Sequence, residues 1–245
     1  MRLAVGSLTF PSLSEIRSFG SDRTWTGRPV VLALLVDRLG PERLLDVGCK
    51  GGWLLEHSHA PFKLGVDTDD ALGVGARADA CMLPFRSASF DVVTLLDVIE
   101  HLPSGMEGVA FSEASRVLEP NGYLVVSTPA DWRIGTVTDP LWMLYGHRHY
   151  KMSRLLTWVE QAGLDPVLVG TRGDWADVVG LPIEYACQRL HLPMPFGRAL
   201  FRWGWNDYSK PGRYTHFVVS RKRTPGEREE RPSGTQEAFV GDERL

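Results

Sequence analysis

The chain has 245 residues, 43% of them hydrophobic and 23% charged, and a formal net charge of -3. Length and composition suit one globular α/β domain with an insertion and exclude a disordered or fibrous chain. The charge leaves no electrostatic footprint for non-specific nucleic-acid binding, so no nucleic-acid partner is expected. Cys49, Cys81 and Cys187 are widely spaced without a CxxC pair. They read as reduced thiols of a cytoplasmic protein, not as a disulfide framework or a zinc site. No apolar run is long enough to span a bilayer, and residues 1–5 are too short for a signal-peptide core.

In chain order, residues 1–28 form an N-terminal segment with a short helix over 14–19 and Trp25 as an isolated aromatic anchor; this segment is expected to act as a lid. Residues 29–39 are apolar around most of a helix, with Pro29 in the first turn and Gly40-Pro41 as the stop. The stretch Leu44-Leu45-Asp46-Val47-Gly48-Cys49-Lys50-Gly51-Gly52-Trp53-Leu54-Leu55 reads as strand, glycine turn and helix. Further strands are predicted at 62–67, 77–85, 89–96 and 123–127, with a helix over 106–118. Near-continuous apolar strands alternating with helices argue for a parallel sheet covered on both faces. A helix over 153–162 follows, with Ser153 as N-cap and Gly163 as stop. Strands at 165–171 and 214–220 flank an insertion, 173–212, rich in aromatic residues and proline. Residues 223–245 are charged and poor in large apolar residues, which predicts a disordered tail.

The glycine turn gains meaning from Asp67, which ends the second strand about twenty residues later. An acid at that place can accept hydrogen bonds from a ribose diol. That much fits a nicotinamide-dependent dehydrogenase or an enzyme with an adenosine cofactor. A pyrophosphate wants GxGxxG opening into a helix, whereas here Asp46 would repel an anion and attract the ammonium of an amino-acid group.

Six stretches in order, LLDVGCKGGWLL, GVD, ADACMLPF, SFDVVTLLDVIEHL, LEPNGYLVVSTP and GHRHYKMSRLLTWVEQAGL, resemble the class I S-adenosylmethionine-dependent methyltransferases, in the branch that includes the ubiquinone-pathway O-methyltransferases. The resemblance covers roughly residues 30–170. It implies a Rossmann-like fold over 29–222, with a seven-stranded, mostly parallel sheet, an antiparallel last strand, and the insertion before that strand. It also implies S-adenosylmethionine as cofactor. Asp46 and the backbone from Gly48 to Gly52 would hold its methionine part, and Asp67 the ribose hydroxyls. Asp79 and the Ala80 N–H would meet the adenine between Leu83 and Phe85, and the main chain near Leu96 would touch the methionine group. Lys50 stands where relatives carry glycine. If that position needs a positive φ, lysine is strained by roughly 1 kcal/mol or more; alternatively Gly51 absorbs the turn.

Methyl transfer from a sulfonium is an in-line displacement, so the protein aligns the acceptor and removes its proton where needed. If 97–101 is helical, Asp97, Glu100 and His101 share one face. His101 is then the first candidate base, with packing beneath the site as its structural alternative. His147, in Gly146-His147-Arg148-His149-Tyr150, is expected to face substrate. Some relatives with an acid-x-x-Glu-His run bind a divalent ion, which here would use Asp97, Glu100, His101 and one of His147 or His149; no metal is assigned. The insertion should define the acceptor, and its arginines among aromatics would also suit peripheral contact with a lipid surface. The function so implied is methyl transfer to a small-molecule, lipid-linked or saccharide-type acceptor at oxygen. A methyltransferase-like binding module with an altered turn is the alternative.

Overall fold

The computed structural model describes residues 8–19, 27–69, 75–139, 146–192 and 197–224. Trp25, residues 1–7 and the tail from 225 onward lie outside them. One sheet runs in the order β3-β2-β1-β4-β5-β7-β6. Its strands are β1 (Arg43–Val47), β2 (Phe62–Asp67), β3 (Gly75–Arg77), β4 (Phe90–Leu96), β5 (Leu118–Pro129), β6 (Leu164–Arg172) and β7 (Thr215–Lys222). Strands β1 to β5 pair in parallel, and β7 runs antiparallel between β5 and β6. This is the sheet that the sequence predicts.

The helices are α1 (Leu13–Phe19), α2 (Gly27–Leu39), α3 (Trp53–His57), α4 (Glu107–Val117), α5 (Arg133–Thr138), α6 (Met152–Gln161), α7 (Trp175–Arg189) and α8 (Gly197–Tyr208). Successive side chains of a strand point to opposite faces, so Val92 and Val93 of β4, like Val125 and Val126 of β5, feed two different cores. Val93 and Val126 pack with Phe111 of α4 and Leu155 of α6. Val92 and Val125 pack with Val31 and Leu35 of α2, Ile16 of α1 and Tyr208 of α8. Double coverage explains why β4 is apolar almost throughout.

Three local expectations change. The strand expected over 77–85 is instead the short β3, because Asp79 closes a turn. Its carboxylate takes the Cys81 N–H at 2.8 Å, and its carbonyl takes the Met82 N–H at 2.9 Å. Helix α6 begins one residue early, at Met152, with Lys151 rather than Ser153 at the cap and no side-chain capping bond. The insertion folds as α7 and α8, which pack on each other where Gly180 meets Leu200. No helix among the described residues is long and apolar enough to cross a membrane.

Candidate active site

Strand β1 lies between β2 and β4. The carboxyl ends of these three strands therefore bring Gly48, Asp67 and Leu96 to one edge of the sheet, where open α/β sheets bind ligands. Gly48 has φ 76°, and a Cβ there would lie 2.4 Å from Val98 Cγ2, so no larger residue fits. The Gly48 and Cys49 N–H groups donate to the Val66 carbonyl at 2.7 and 3.1 Å. Gly52, at φ 70°, leads into α3. Between them Lys50 takes the left-handed conformation, φ 42°, and Gly51 does not; the lysine, not the glycine, absorbs the turn. Its N–H donates to Asp67 Oδ2 at 2.9 Å, which offsets part of the strain. A Cβ on Gly51 would meet nothing within 4 Å, so the turn presents bare backbone to open space.

The three acids of this end differ in environment. Asp46 is buried and accepts the Thr94 hydroxyl at 2.6 Å. Burial pushes it up to about 7 against that hydrogen bond, and the charge of Asp67 adds to the rise. Asp67 is half-buried; burial tends to raise it, but N–H donors from Lys50 and Asp69 outweigh this and hold it below its usual value. It is therefore an ionised carboxylate aimed by the loop. Asp79 is exposed and Ala80 buried beside it. Leu83 is buried, and half-buried Phe85 meets Phe90 edge-on at 5.1 Å. Burial and the neighbouring Asp46 and Asp67 push the Cys49 thiol up to about 11, so it is no nucleophile at neutral pH. The bare turn, the ionised Asp67 and the exposed Asp79 fit an adenosine cofactor with a cationic amino-acid part. Asp46 and residues 48–52 would hold that part, Asp67 the ribose, and Asp79 with Ala80 the adenine. Bound there, S-adenosylmethionine supplies an electrophilic methyl group.

The end of β4 departs from the helix considered for 97–101. Asp97 has φ 53°, and only Ile99–His101 forms a 3-10 turn, so Asp97, Glu100 and His101 do not share a face. Asp97 instead accepts the Ser127 hydroxyl at 3.0 Å and pairs with Arg28 at 3.2 Å. Glu100 is buried and accepts the Thr128 hydroxyl at 3.0 Å. Its other oxygen lies 3.5 Å from His147 Nε2. His147 is buried, and its Nδ1 is 2.9 Å from Asp139 Oδ2. Burial opposes a charge on His147, but Asp139 and Glu100 outweigh it and push the imidazole up to about 9. It is an imidazolium held chiefly by the Asp139 carboxylate, since burial pushes Glu100 upward against the pull of His147. His149 Nε2 shares the same Asp139 oxygen at 3.0 Å.

His101 is exposed, and its ring centre lies 4.6 Å from that of His147. Partial burial, the His147 cation and the Lys50 ammonium push it down to about 4. His101 is thus neutral at physiological pH, and His147, expected to face substrate, is instead buried against it. Among the described residues, two groups, Glu100–His101–His147 and Asp139–His147–His149, have donor atoms close enough to hold a metal ion; Asp97 belongs to neither. Sequence reasoning missed Arg28 and Asp139. Neither stands in a spacing that announces a role, since each acts through a partner dozens of residues away or across a loop. Arg28 also faces buried Asp177 of α7, which burial pushes up to about 7 against the attraction of Arg28.

Comparison with known proteins bears on the domain and its cofactor. Residues 24–169, more than half of the chain, match the family model described as a methyltransferase domain. A Mycolicibacterium smegmatis protein called "Probable S-adenosylmethionine-dependent methyltransferase" is 30% identical over 173 residues, covering 65% of this chain and 64% of that one. A "Ubiquinone biosynthesis O-methyltransferase" of Idiomarina loihiensis is 30% identical over 161 residues, 54% of this chain and 65% of that one. A "Probable tRNA methyltransferase 9B" of Bos taurus is 29% identical over 127 residues, 48% of this chain and 26% of that one. The chain thus spans just under two thirds of the first two relatives and about a quarter of the third. By its matched domain, its sheet order and its glycine turn, the chain belongs to the class I S-adenosylmethionine-dependent methyltransferases.

Proposed function

We propose that the protein transfers the methyl group of S-adenosylmethionine to a hydroxyl oxygen of a small acceptor, lipid-linked or saccharide-type. One observation carries this reading: His101 is an exposed, neutral imidazole in the short turn that follows the end of β4. A hydroxyl must lose its proton as it is methylated, and a neutral imidazole can take it. Partial burial and the His147 imidazolium, whose ring lies 4.6 Å away and tilted by 33°, keep His101 unprotonated. The Idiomarina relative's name supports oxygen as the acceptor atom. The net charge of -3 favours a small acceptor over tRNA.

The test is transfer of isotope-labelled methyl from S-adenosylmethionine to panels of phenols, saccharides, isoprenoid-linked phenols and tRNA. His101→Gln should lower turnover about 100-fold while leaving cofactor affinity within about twofold. With the cofactor saturating, turnover should stay level from neutral pH down to about 5 and fall below it, as His101 protonates, whereas cofactor affinity should already fall below about 7, as Asp46 protonates. Labelling of tRNA alone, or full turnover by His101→Gln, would overturn the proposal. The second reading, a binding module without turnover, is favoured by the Lys50 cation that bears on His101. Cofactor binding without transfer to any panel would establish it.

A further inference from the structure

Among the described residues, eight of the eleven exposed large apolar side chains fall between Ile134 and Trp203, on α5, α7, α8 and the turn between the last two. Trp175, Val179 and Ile183 of α7 are exposed, and so is Leu190 just past its end. Spacings of four, four and seven place them on one stripe of the helix and its continuation. The opposite side of α7 carries Asp177 and Glu184, seven residues apart. Asp177 is buried, Glu184 is half-buried, and both feel the Arg28 cation beside Asp97. One side of α7 therefore faces the acceptor end of the site, and the other side is turned outward. Helix α5 adjoins it through Trp132 and Trp175, whose rings meet edge-on at 5.7 Å, and adds exposed Ile134 and Val137.

The charges on these helices are one-sided. Among the described side chains of α5, α7 and α8, the exposed charged ones are Arg133, Arg189 and Arg202. The acids Asp177 and Asp207 are buried, and Glu184 is half-buried. Asp131, just before α5, is exposed, and Asp174, just before α7, is half-buried and paired with Arg213. A chain of net charge -3 thus carries three exposed arginines and no exposed acid on these helices among the described side chains. Apolar stripe, tryptophan and arginine together are what an anionic lipid interface binds, with apolar side chains entering the acyl boundary and guanidinium groups meeting headgroups.

We infer that the outer face of α5 and α7, flanked by Arg133, Arg189 and Arg202, docks on an anionic lipid bilayer. This docking goes beyond the proposed reaction and does not depend on the acceptor. Trp205, although aromatic and in the same insertion, is half-buried against the α2 side of the sheet and plays no part.

The experiment is flotation of the full chain, without cofactor or acceptor, on phosphatidylcholine vesicles with and without phosphatidylglycerol. Binding should require phosphatidylglycerol and weaken with salt. Arg189→Gln with Arg202→Gln should weaken it roughly 30-fold, from about a factor of five per arginine. Trp175→Ser with Val179→Ser and Ile183→Ser should abolish it. S-Adenosylmethionine titration of both variants serves as the folding control, because none of these residues lies in the cofactor end. No flotation of the unaltered chain on anionic vesicles would overturn the inference. So would equal flotation of all three proteins, or a dimer that the triple serine variant dissociates while vesicles stay unbound.

Discussion

The cofactor end and the acceptor end of this site are built from different materials. The first is made of backbone: left-handed residues at Gly48, Lys50 and Gly52, and a carboxylate, Asp67, aimed by main-chain N–H groups. The second is made of side chains from distant parts of the chain, Glu100, His101, Asp139, His147 and His149, which balance one another's charge. The first end should therefore be intolerant of an added Cβ at Gly48 and respond to pH near neutrality through Asp46 alone of its three acids. The second should tolerate conservative substitutions and respond to the number of protons it holds.

The largest effect is expected from Gly48→Ala. The new methyl group would overlap Val98 at a φ of 76°, and the cost should be about 3 kcal/mol of stability, read from denaturant midpoints. The second prediction concerns the other end. His147 is raised from 6.5 to about 9 in the fold, so its stabilisation is complete below about 6.5 and is lost as pH rises through about 9. Asp46 and Asp177 reach only about 7. They favour the fold at low pH and lose that contribution between about 4 and 7; above 7 His147 titrates first, and the thiols of Cys49 and Cys81, raised from 9.0 to about 11, add to the fall only above about 8.5. Unfolding free energy should fall by about 2 kcal/mol between pH 7 and 8.5. Asp139→Asn should flatten that slope, and an unchanged slope would mean that His147 does not set it.

Asp67→Asn keeps an acceptor for the Lys50 N–H but loses the charge. It should weaken S-adenosylmethionine binding about 10- to 30-fold, the worth of replacing a charge-assisted hydrogen bond by a neutral one. The smallest effect belongs to Lys50→Gly. Relief at φ 42° is offset by the greater chain entropy of glycine, so stability should change by less than about 1 kcal/mol. Removing the cation near His101 should tighten binding of the sulfonium cofactor a few-fold, measured by competition. Unchanged or weaker binding would mean that the turn has adapted to lysine.

Legibility in the sequence divides in the same way. The sheet and the strand–glycine turn–helix at its carboxyl edge were readable because each depends on local pattern. Apolar strands with acids at their ends, and glycines at a fixed interval, announce themselves within a dozen residues. The position of Lys50 could be narrowed to two backbone solutions, and only φ values decide between them. The acceptor end was half-readable. His101 and His147 stand out as titratable residues, but their charge states depend on Asp139 and Glu100, and sequence spacing does not report a carboxylate 2.9 Å from an imidazole. Asp97 misled for the same reason. Spacing in DVIEH suits a helix, whereas pairing with Arg28 and Ser127 holds Asp97 in a left-handed conformation. The aromatic insertion showed its composition but not its direction. Which aromatics face outward depends on the packing of α7 and α8, so Trp175 and Trp203 are exposed while Trp205 is not.

Everything at the cofactor end rests on bare backbone after β1 and the ionised Asp67 holding S-adenosylmethionine. Calorimetric titration of S-adenosylmethionine into the unaltered chain, and into Gly48→Ala under conditions where both are folded, measures this without intermediaries. One site per chain is expected in the first protein and at least about 100-fold weaker binding in the second. Absence of saturable binding to the unaltered chain, or equal affinity in the two proteins, would contradict it.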